Sequence, residues 1–305
     1  MITNLNPSAA IFLANTDRLE ASLSEVTGEI SSGKRVNVAS DDPNQVEALL
    51  QLRTDEKQNT QIASNLTQAS ADADSADSSL SAAIQLMDTA VSLATQGATA
   101  TTTAQGRQSI AQQIEAIQQQ MVSYSRTQVQ GRYIFSGDQD DSASYQLDLT
   151  ATTGTAATTG VDLLLNATST RQIQDPSGGT FTASETAQQI FDAPGASVFA
   201  ALNSLRVSLL ANDQTGIGSS IASLQTASDH LNSMEAFYGN VEDRITNANN
   251  FGSQYDTQLQ GEIGNIQDAD VAQDATELTQ DNTALQAAFQ AEGKMPTTSL
   301  FNYLG

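Results

Sequence analysis

The stretch Leu23–Pro43, LSEVTGEISSGKRVNVASDDP, separates two helical patterns. Apolar residues recur every seven positions ahead of the break, at Leu5, Phe12, Leu19 and Val26. Such a repeat predicts a helix with one narrow apolar stripe that faces a partner helix. Gly33 and the Asp-Asp-Pro turn interrupt this pattern, and Pro43 suits the first turn of a new helix.

Long apolar stripes follow the break and return in the C-terminal half. The first runs Leu49, Leu52, Ala63, Leu66, Ala73, Leu80, Ile84, Met87 and Val91. Roughly 50 residues of helix predict a rod of about 75 Å. A shorter helical stripe covers 110–124, and another long one covers 224–266, with interruptions expected at Gly252 and near Glu262. The last stripe again has seven-residue spacing, at Val271, Leu278 and Leu285, joined by Phe289.

The middle of the chain has a different pattern. Apolar and polar residues alternate over 145–149 and 161–165, and Gly, Thr and Ser separate these short runs, which is typical of strands and turns. The sequence therefore predicts a mainly α fold, a long antiparallel helical rod or coiled-coil bundle with a small inserted β-rich domain. The predicted boundaries are terminal helices at 1–40 and 268–305, rod segments at 41–140 and 196–267, and a β-rich domain at 141–195.

Composition excludes several kinds of function. The 305 residues carry 35 Asp and Glu against 12 Lys and Arg, with one His and no Cys. So acidic a chain is a poor binder of nucleic acid or anionic membranes, and it lacks the thiols and imidazoles of zinc sites. No run reaches the length of a membrane span, and no signal peptide precedes the helices. We expect no cofactor and no metal.

Periodicity does not decide whether the terminal helices are ordered in the monomer. Each carries one apolar stripe among many Asn, Gln, Ser and Thr residues, and a lone pair of such helices buries little surface against the entropy of ordering them. Either the termini are disordered in the monomer and become ordered when copies pack together, or they form an ordinary intramolecular hairpin. Long rods with such ends favour a structural building block over a catalyst.

Particular residues point to a family. The segment containing Gly33, Lys34, Arg35, Asp41, Asp42 and Pro43 resembles the N-terminal signature of bacterial flagellins and their relatives. The C-terminal segment IQDADVAQDATELTQDNTALQAAFQA, followed by SLFNYLG, is similar to the flagellin-type C-terminal helix. The segment GRYIFSGDQ, with Gly131, Tyr133, Phe135 and Gly137, resembles the hook-associated branch of the family, which joins hook to filament. A short filament flagellin is the alternative, and a non-flagellar coiled-coil surface protein is a remote one.

The resemblance implies partners and a location. It implies an extracellular component of the flagellum, exported without a cleaved signal peptide, and needed for filament assembly and motility. The implied partners are further copies in a ring-like homo-oligomer, an adjacent hook-associated protein, filament flagellin, and a cytosolic export chaperone on the C-terminal helix. The implied assembly residues lie in the terminal helices: Leu5, Phe12, Leu19, Val26, Val271, Leu278, Leu285, Phe289, Leu300 and Leu304.

Candidate chemical sites have simpler interpretations, and we predict no catalytic residue. His230 stands alone, so we expect a surface or stripe-edge histidine. Asp138, Asp140 and Asp141 lack the Gly and distal Glu of a calcium loop, which favours a solvated turn. Asp72, Asp74 and Asp77 are expected on a solvated helix face. Arg53 is expected in a surface charge pair or in a contact between subunits.

Overall fold

The computed structural model describes residues 7–149, 159–167 and 169–294. It confirms the predicted fold class, because the chain is mainly helical, with long helices packed antiparallel and small inserted β-hairpins. The helices are α1 (Pro7–Ser32), α2 (Pro43–Ala98), α3 (Ala104–Ser125), α4 (Ala187–Phe191), α5 (Val198–Leu210), α6 (Gln214–Gln267) and α7 (Val271–Glu292). The strands are β1 (Gln128–Val129), β2 (Arg132–Tyr133), β3 (Tyr145–Leu147), β4 (Val161–Leu163), β5 (Gln172–Gln174) and β6 (Thr180–Thr182).

The chain divides into two compact units, which we call the terminal unit and the central unit. The terminal unit comprises Met1–Gln58 and Tyr255–Gly305, and the central unit comprises Asn59–Gln254. Helices α2 and α6 each contribute residues to both units. The boundaries predicted from the sequence for the terminal helices, rod and β-rich domain remain predictions.

The core of the central unit is one continuous cluster of buried apolar residues. Leu66, Leu80 and Met87 of α2 are fully buried, as are Ile114 of α3 and Leu231 of α6. The positions at which they lie are those of the predicted apolar stripes, so period and burial agree. Small residues of α2, among them Ala69, Ala73, Ala76 and Ala83, are also buried and allow close approach of neighbouring elements.

The three hairpins are separate antiparallel pairs. β1 pairs with β2, β3 with β4 and β5 with β6, with central registers such as Gln146 opposite Asp162 and Ile173 opposite Phe181. Polar and apolar residues also alternate along β5 and β6, where Ile173 and Phe181 are buried between more exposed neighbours. The β1–β2 pair precedes the segment in which strands were expected.

The turn between α2 and α3 is held by a buried cation. Thr103 caps α3, its Oγ1 accepting from the Gly106 amide at 3.1 Å. Buried Arg107 donates from Nε to the Gly97 carbonyl at 2.8 Å and from Nη2 to the Thr99 carbonyl at 3.1 Å. These two carbonyls lie at the C-terminal end of α2, where the helix itself supplies no amide donors. The guanidinium therefore supplies the missing hydrogen bonds.

Helix α6 runs unbroken from Gln214 to Gln267, so the interruptions of the apolar stripe at Gly252 and near Glu262 do not break the helix. Gly252 is buried, its carbonyl accepts from Nδ2 of Asn59 at 2.9 Å, and a Cβ placed there would lie 3.3 Å from Cγ of Pro176. The glycine therefore permits close packing, and the surrounding contacts outweigh its cost of about 1 kcal/mol in a helix.

Candidate assembly surfaces

The terminal unit is organised around the pairing of α1 with α7. The rings of Phe12 and Phe289 meet edge to face, with centroids 6.1 Å apart. Nearer the middle of the pair, Oγ of Ser22 donates to Oδ2 of Asp281 at 2.6 Å. The hydroxyl of Thr16 is turned inward and donates to the Phe12 carbonyl at 3.0 Å. The two helices therefore pair through a narrow, partly polar seam.

The predicted assembly residues are covered unevenly by this pairing. Val26 is 4% exposed, whereas Val271 is 48% and Phe289 is 51% exposed. Leu19, Leu278 and Leu285 are intermediate, and Phe12 is intermediate as well. Ile11 and Leu13, which the stripe did not include, are 63% and 53% exposed. Leu5, Leu300 and Leu304 lie outside the described residues. One copy thus leaves much apolar helix surface uncovered.

The loop after α1 is built from the first family motif. Gly33 adopts a φ of +68°, the left-handed conformation that ends many helices, and its amide donates to the Glu29 carbonyl at 2.8 Å. Oδ2 of Asp41 accepts from the amides of Asn37 and Val38, each at 2.8 Å. This donation holds the pKa of the Asp41 carboxyl below its usual range. Pro43 then begins α2, as predicted.

Arg35 joins this loop to the end of α6. Its guanidinium donates from Nη1 to Oδ2 of Asp42 at 3.1 Å and from Nη2 to the Ile266 carbonyl at 2.7 Å. The charge of Arg35 is therefore paired within the loop, with Asp42. Nearby, Nη2 of Arg53 donates to Oε1 of Gln267 at 2.9 Å, in place of the expected surface charge pair.

The second motif, Gly131–Gln139, turns the chain out of α3 into the hairpin region. Gln130 and Gly131 both have positive φ, 52° and 79°, and connect β1 to β2 as the two residues of a tight turn. Gly137 also has a positive φ, 61°, and a Cβ there would lie 2.3 Å from the Ser169 carbonyl oxygen. Both glycines are therefore required by the backbone, Gly137 more strictly.

The residues between these glycines fix the motif in the core. Phe135 is fully buried, with its ring centroid 5.8 Å from that of Phe191 and 6.2 Å from that of Tyr238. The carbonyl of Phe135 accepts from the amide of Ala187 at 2.7 Å. Oγ of Ser136 lies 2.9 Å from Oγ of Ser144 and donates to the Ser142 carbonyl at 2.7 Å. Tyr133 lies on β2 and is half-buried.

An ion-pair cluster attaches β2 and the segment before β5 to helix α2. Asp72 is buried, 9% exposed, and receives both Arg132, at 3.4 Å, and Arg171. Each arginine also reaches Asp140 at 3.3 Å. The expectation of a solvated helix face is therefore wrong at Asp72, whereas Asp74 is exposed as expected. Asp140 lies in a turn, as expected, but its charge is paired and its side chain is only 34% exposed.

The remaining chemical candidates have structural roles. Nε2 of His230 lies 2.7 Å from the Gln189 carbonyl oxygen, so the imidazole links α6 to α4 at the edge of the core. Oγ of Ser169 donates to Oδ2 of Asp138 at 3.4 Å. No cluster of three or more His, Cys, Asp or Glu side chains suited to a metal is found within residues 7–149, 159–167 and 169–294. No helix in that same part of the chain is long and apolar enough to cross a membrane.

Comparison with family models identifies both ends of the chain. The model of the bacterial flagellin N-terminal helical region matches residues 3–140, and that of the C-terminal helical region matches residues 221–304. The chain belongs to the bacterial flagellin family. Members of this family are structural proteins, so the expectation that the chain is not an enzyme is confirmed. No curated protein sequence matches it.

Solved structures resemble this flagellin-family chain over most of its length. A protein from Vibrio parahaemolyticus assigned to the flagellar hook-associated proteins aligns with a TM-score of 0.63 at 19% identity, over 75% of this chain and 100% of its own. Flagellar hook-associated protein 3 from Legionella pneumophila gives 0.62 at 13% identity, over 73% and 99%. The flagellar junction protein FlgL from the same organism gives 0.54 at 13% identity, over 72% and 99%. At these identities the likeness establishes a shared fold.

Proposed function

We propose that this flagellin-family chain is a junction subunit that joins the hook to the filament of the bacterial flagellum. The observation that carries the proposal is the Gly131–Gln139 segment, which resembles the hook-associated branch and is integral to the fold here. Phe135 stands in the core, and Gly137 has no space for a side chain beside Ser169. The fold likeness to a flagellar junction protein, over 72% of this chain, supports the same proposal.

The partners follow from the same proposal. Copies of the chain form a ring-like homo-oligomer, which contacts an adjacent hook-associated protein on one side and filament flagellin on the other. The exposed apolar residues of α1 and α7 supply the surface for this packing. Before export, a cytosolic chaperone holds the C-terminal helix, roughly Val271–Phe289. The location is extracellular, in the flagellum, reached without cleavage of a signal peptide.

Deletion of the gene followed by electron microscopy tests the proposal. A junction subunit is expected to leave intact hooks without filaments, with filament flagellin shed into the medium. The alternative, a short filament flagellin, shares the fold and the terminal helices. It predicts instead that the main filament subunit is lost while the junction stays competent, and that result would overturn our proposal.

Truncation tests the assembly role of the termini separately. Removal of the last twenty or so residues is expected to leave the helical content of the central unit intact, measured by circular dichroism, while the chain no longer joins hooks to filaments. The control is the full-length chain with Phe251→Ala, which removes an exposed apolar side chain of α6 in the central unit. Normal assembly of the truncated chain would contradict the role proposed for the termini.

A further inference from the structure

The β5–β6 hairpin is attached firmly at its base. Arg171, just before β5, forms an ion pair with buried Asp72 of α2, and its amide donates to Oγ of Ser184 at 3.0 Å. Phe181 of β6 is buried, and Cζ of Arg244 of α6 lies 4.4 Å from its ring centroid. Charged and apolar contacts therefore fix the base of the hairpin to both long helices of the central unit.

The tip of the hairpin, residues 175–179, is attached much more weakly. The amide of Asp175 donates to the Gly179 carbonyl at 2.7 Å, and Oδ1 of Asp175 accepts from the Ser177 amide at 2.8 Å. Among the described residues, the tip forms no hydrogen bond with α2 or α6. Ser177, Gly178 and Gly179 are exposed. The tip therefore keeps its own shape and meets the helices through van der Waals contact alone.

The contact of the tip with α6 is close, and a polar atom beside it is unsatisfied. A Cβ placed on Gly252 would lie 3.3 Å from Cγ of Pro176 and 3.3 Å from Oδ1 of Asn59. Nδ2 of Asn59 donates to the Gly252 carbonyl at 2.9 Å, but its Oδ1 is buried without a hydrogen-bond partner. Proline has no N–H to offer that oxygen. With the tip in this position, the oxygen has lost its hydration without replacement.

We propose that the β5–β6 hairpin is a latch on the α2–α6 pair, with a fixed base and a tip that opens and closes over Asn59 and Gly252. In the closed position, Pro176 packs against Gly252. In the open position, water reaches Oδ1 of Asn59 and offsets the lost contact, so the two positions are close in free energy. Asn59 is the first residue of the central unit, and Gly252 lies two residues before its last. The latch therefore acts on the turns with which α2 and α6 leave that unit.

A disulfide between the tip and α6 tests the closed position. Pro176→Cys and Gly252→Cys place two Cβ atoms 3.9 Å apart, which suits a disulfide, and the natural chain has no Cys that would compete. The purified double variant is expected to form this bond within one chain on mild oxidation, as measured by peptide mapping. The single variants are the controls and are expected to form none within the chain.

Distances between spin labels test the opening. One pair of labels joins the exposed tip residue Ser177 to exposed Ser64 of α2, both changed to Cys. The matched control joins Gln172, an exposed residue of β5 next to the base, to the same Ser64. Distances from Ser177 are expected to fall into two populations, each with at least about a tenth of the molecules. Distances from Gln172 are expected to form one population, because the base is fixed.

Every other outcome overturns the latch. A folded Pro176→Cys/Gly252→Cys variant that forms no disulfide would refute the closed position. A single distance from Ser177, as narrow as that from Gln172, would mean that the hairpin is fixed along its whole length. Two populations from both positions would mean that the base moves with the tip. Circular dichroism checks that each variant keeps its helical content; if the disulfide variant does not fold, the label distances alone decide, since they change only exposed residues.

Discussion

The central and terminal units differ in how completely a single copy covers their apolar stripes. In the central unit, large side chains such as Leu80, Met121 and Phe199 are fully buried in one continuous cluster. In the terminal unit, the pairing of α1 with α7 leaves Ile11 and Phe289 more than half exposed. Since apolar burial supplies about 25 cal/mol per Å², the central unit gains its stability from within. The terminal unit gains much less, which is consistent with the proposal that further copies cover it.

The largest predicted effect contrasts one phenylalanine from each unit. Phe135→Ala is expected to lower the free energy of unfolding of the central unit by about 3–5 kcal/mol, because it empties a fully buried site. Phe289→Ala, at a half-exposed ring, is expected to cost less than about 1 kcal/mol in the free chain. Urea unfolding followed by circular dichroism measures both. Equal losses would contradict the contrast between the units.

The sequence predicted the parts of this contrast that depend on periodicity. The stripes of α2 and α6 and the break at Gly33 follow from spacing and turn residues, and so does the start of α2 at Pro43. Contacts between distant residues could not be predicted in the same way. The burial of Asp72 depends on Arg132 and Arg171, which lie 60 and 99 residues away. Spacing within one helix carries no information about partners that distant.

The burial of Asp274 shows the same limit within the terminal unit. Asp274 is not among the predicted stripe residues, although it lies three positions after Val271 and is 7% exposed. Its burial results from the packing of α1 against α7, and the seam places Glu29 near it. The uneven exposure of the predicted assembly residues also comes from this packing. Periodicity identified the stripe, and the packing of α1 against α7 determines which of its residues stay exposed to solvent.

A smaller effect is predicted for the glycines of the second motif. Gly137→Ala is expected to destabilise the central unit by about 1–3 kcal/mol, since a Cβ meets the Ser169 carbonyl oxygen and the residue keeps a positive φ. Gly131→Ala is the matched control, because its φ of +79° is strained for alanine while nothing lies within 4 Å of the added carbon. Thermal unfolding compares the two, and an equal loss would show that the close approach at Ser169 is unimportant.

The smallest predicted effect is the pH dependence that Glu29 gives to the terminal unit. Because the pKa of Glu29 is raised in the folded state, that state binds the proton more tightly than the unfolded chain does. Stability of the α1–α7 pair is expected to rise as pH falls through the raised pKa, and to level off below the ordinary value of 4.5. Amide exchange corrected for its intrinsic pH dependence measures this, with Glu29→Gln abolishing the change and Glu20→Gln preserving it.

Glu242 allows a test of whether the pH effect of Glu29 is limited to the terminal unit. Burial, then Asp77 and Asp74, raises its pKa as well, so amides of the central unit near Glu242 have a pH dependence of the same sign. Glu29→Gln is expected to leave this second dependence unchanged. If it abolished both, the two units would share one cooperative transition, and the contrast between them would be wrong.

Hydrogen exchange on the purified monomer at neutral pH tests the central claim most directly, because it measures each segment of both units in one experiment. We expect strong protection of backbone amides across 59–254, and fast amide exchange before about residue 40 and after about residue 270. Assembly into larger particles is then expected to slow exchange in those terminal segments alone. Protection of α1 and α7 in the monomer equal to that of the central unit would contradict it, and would mean that the terminal helices form a stable hairpin without partners.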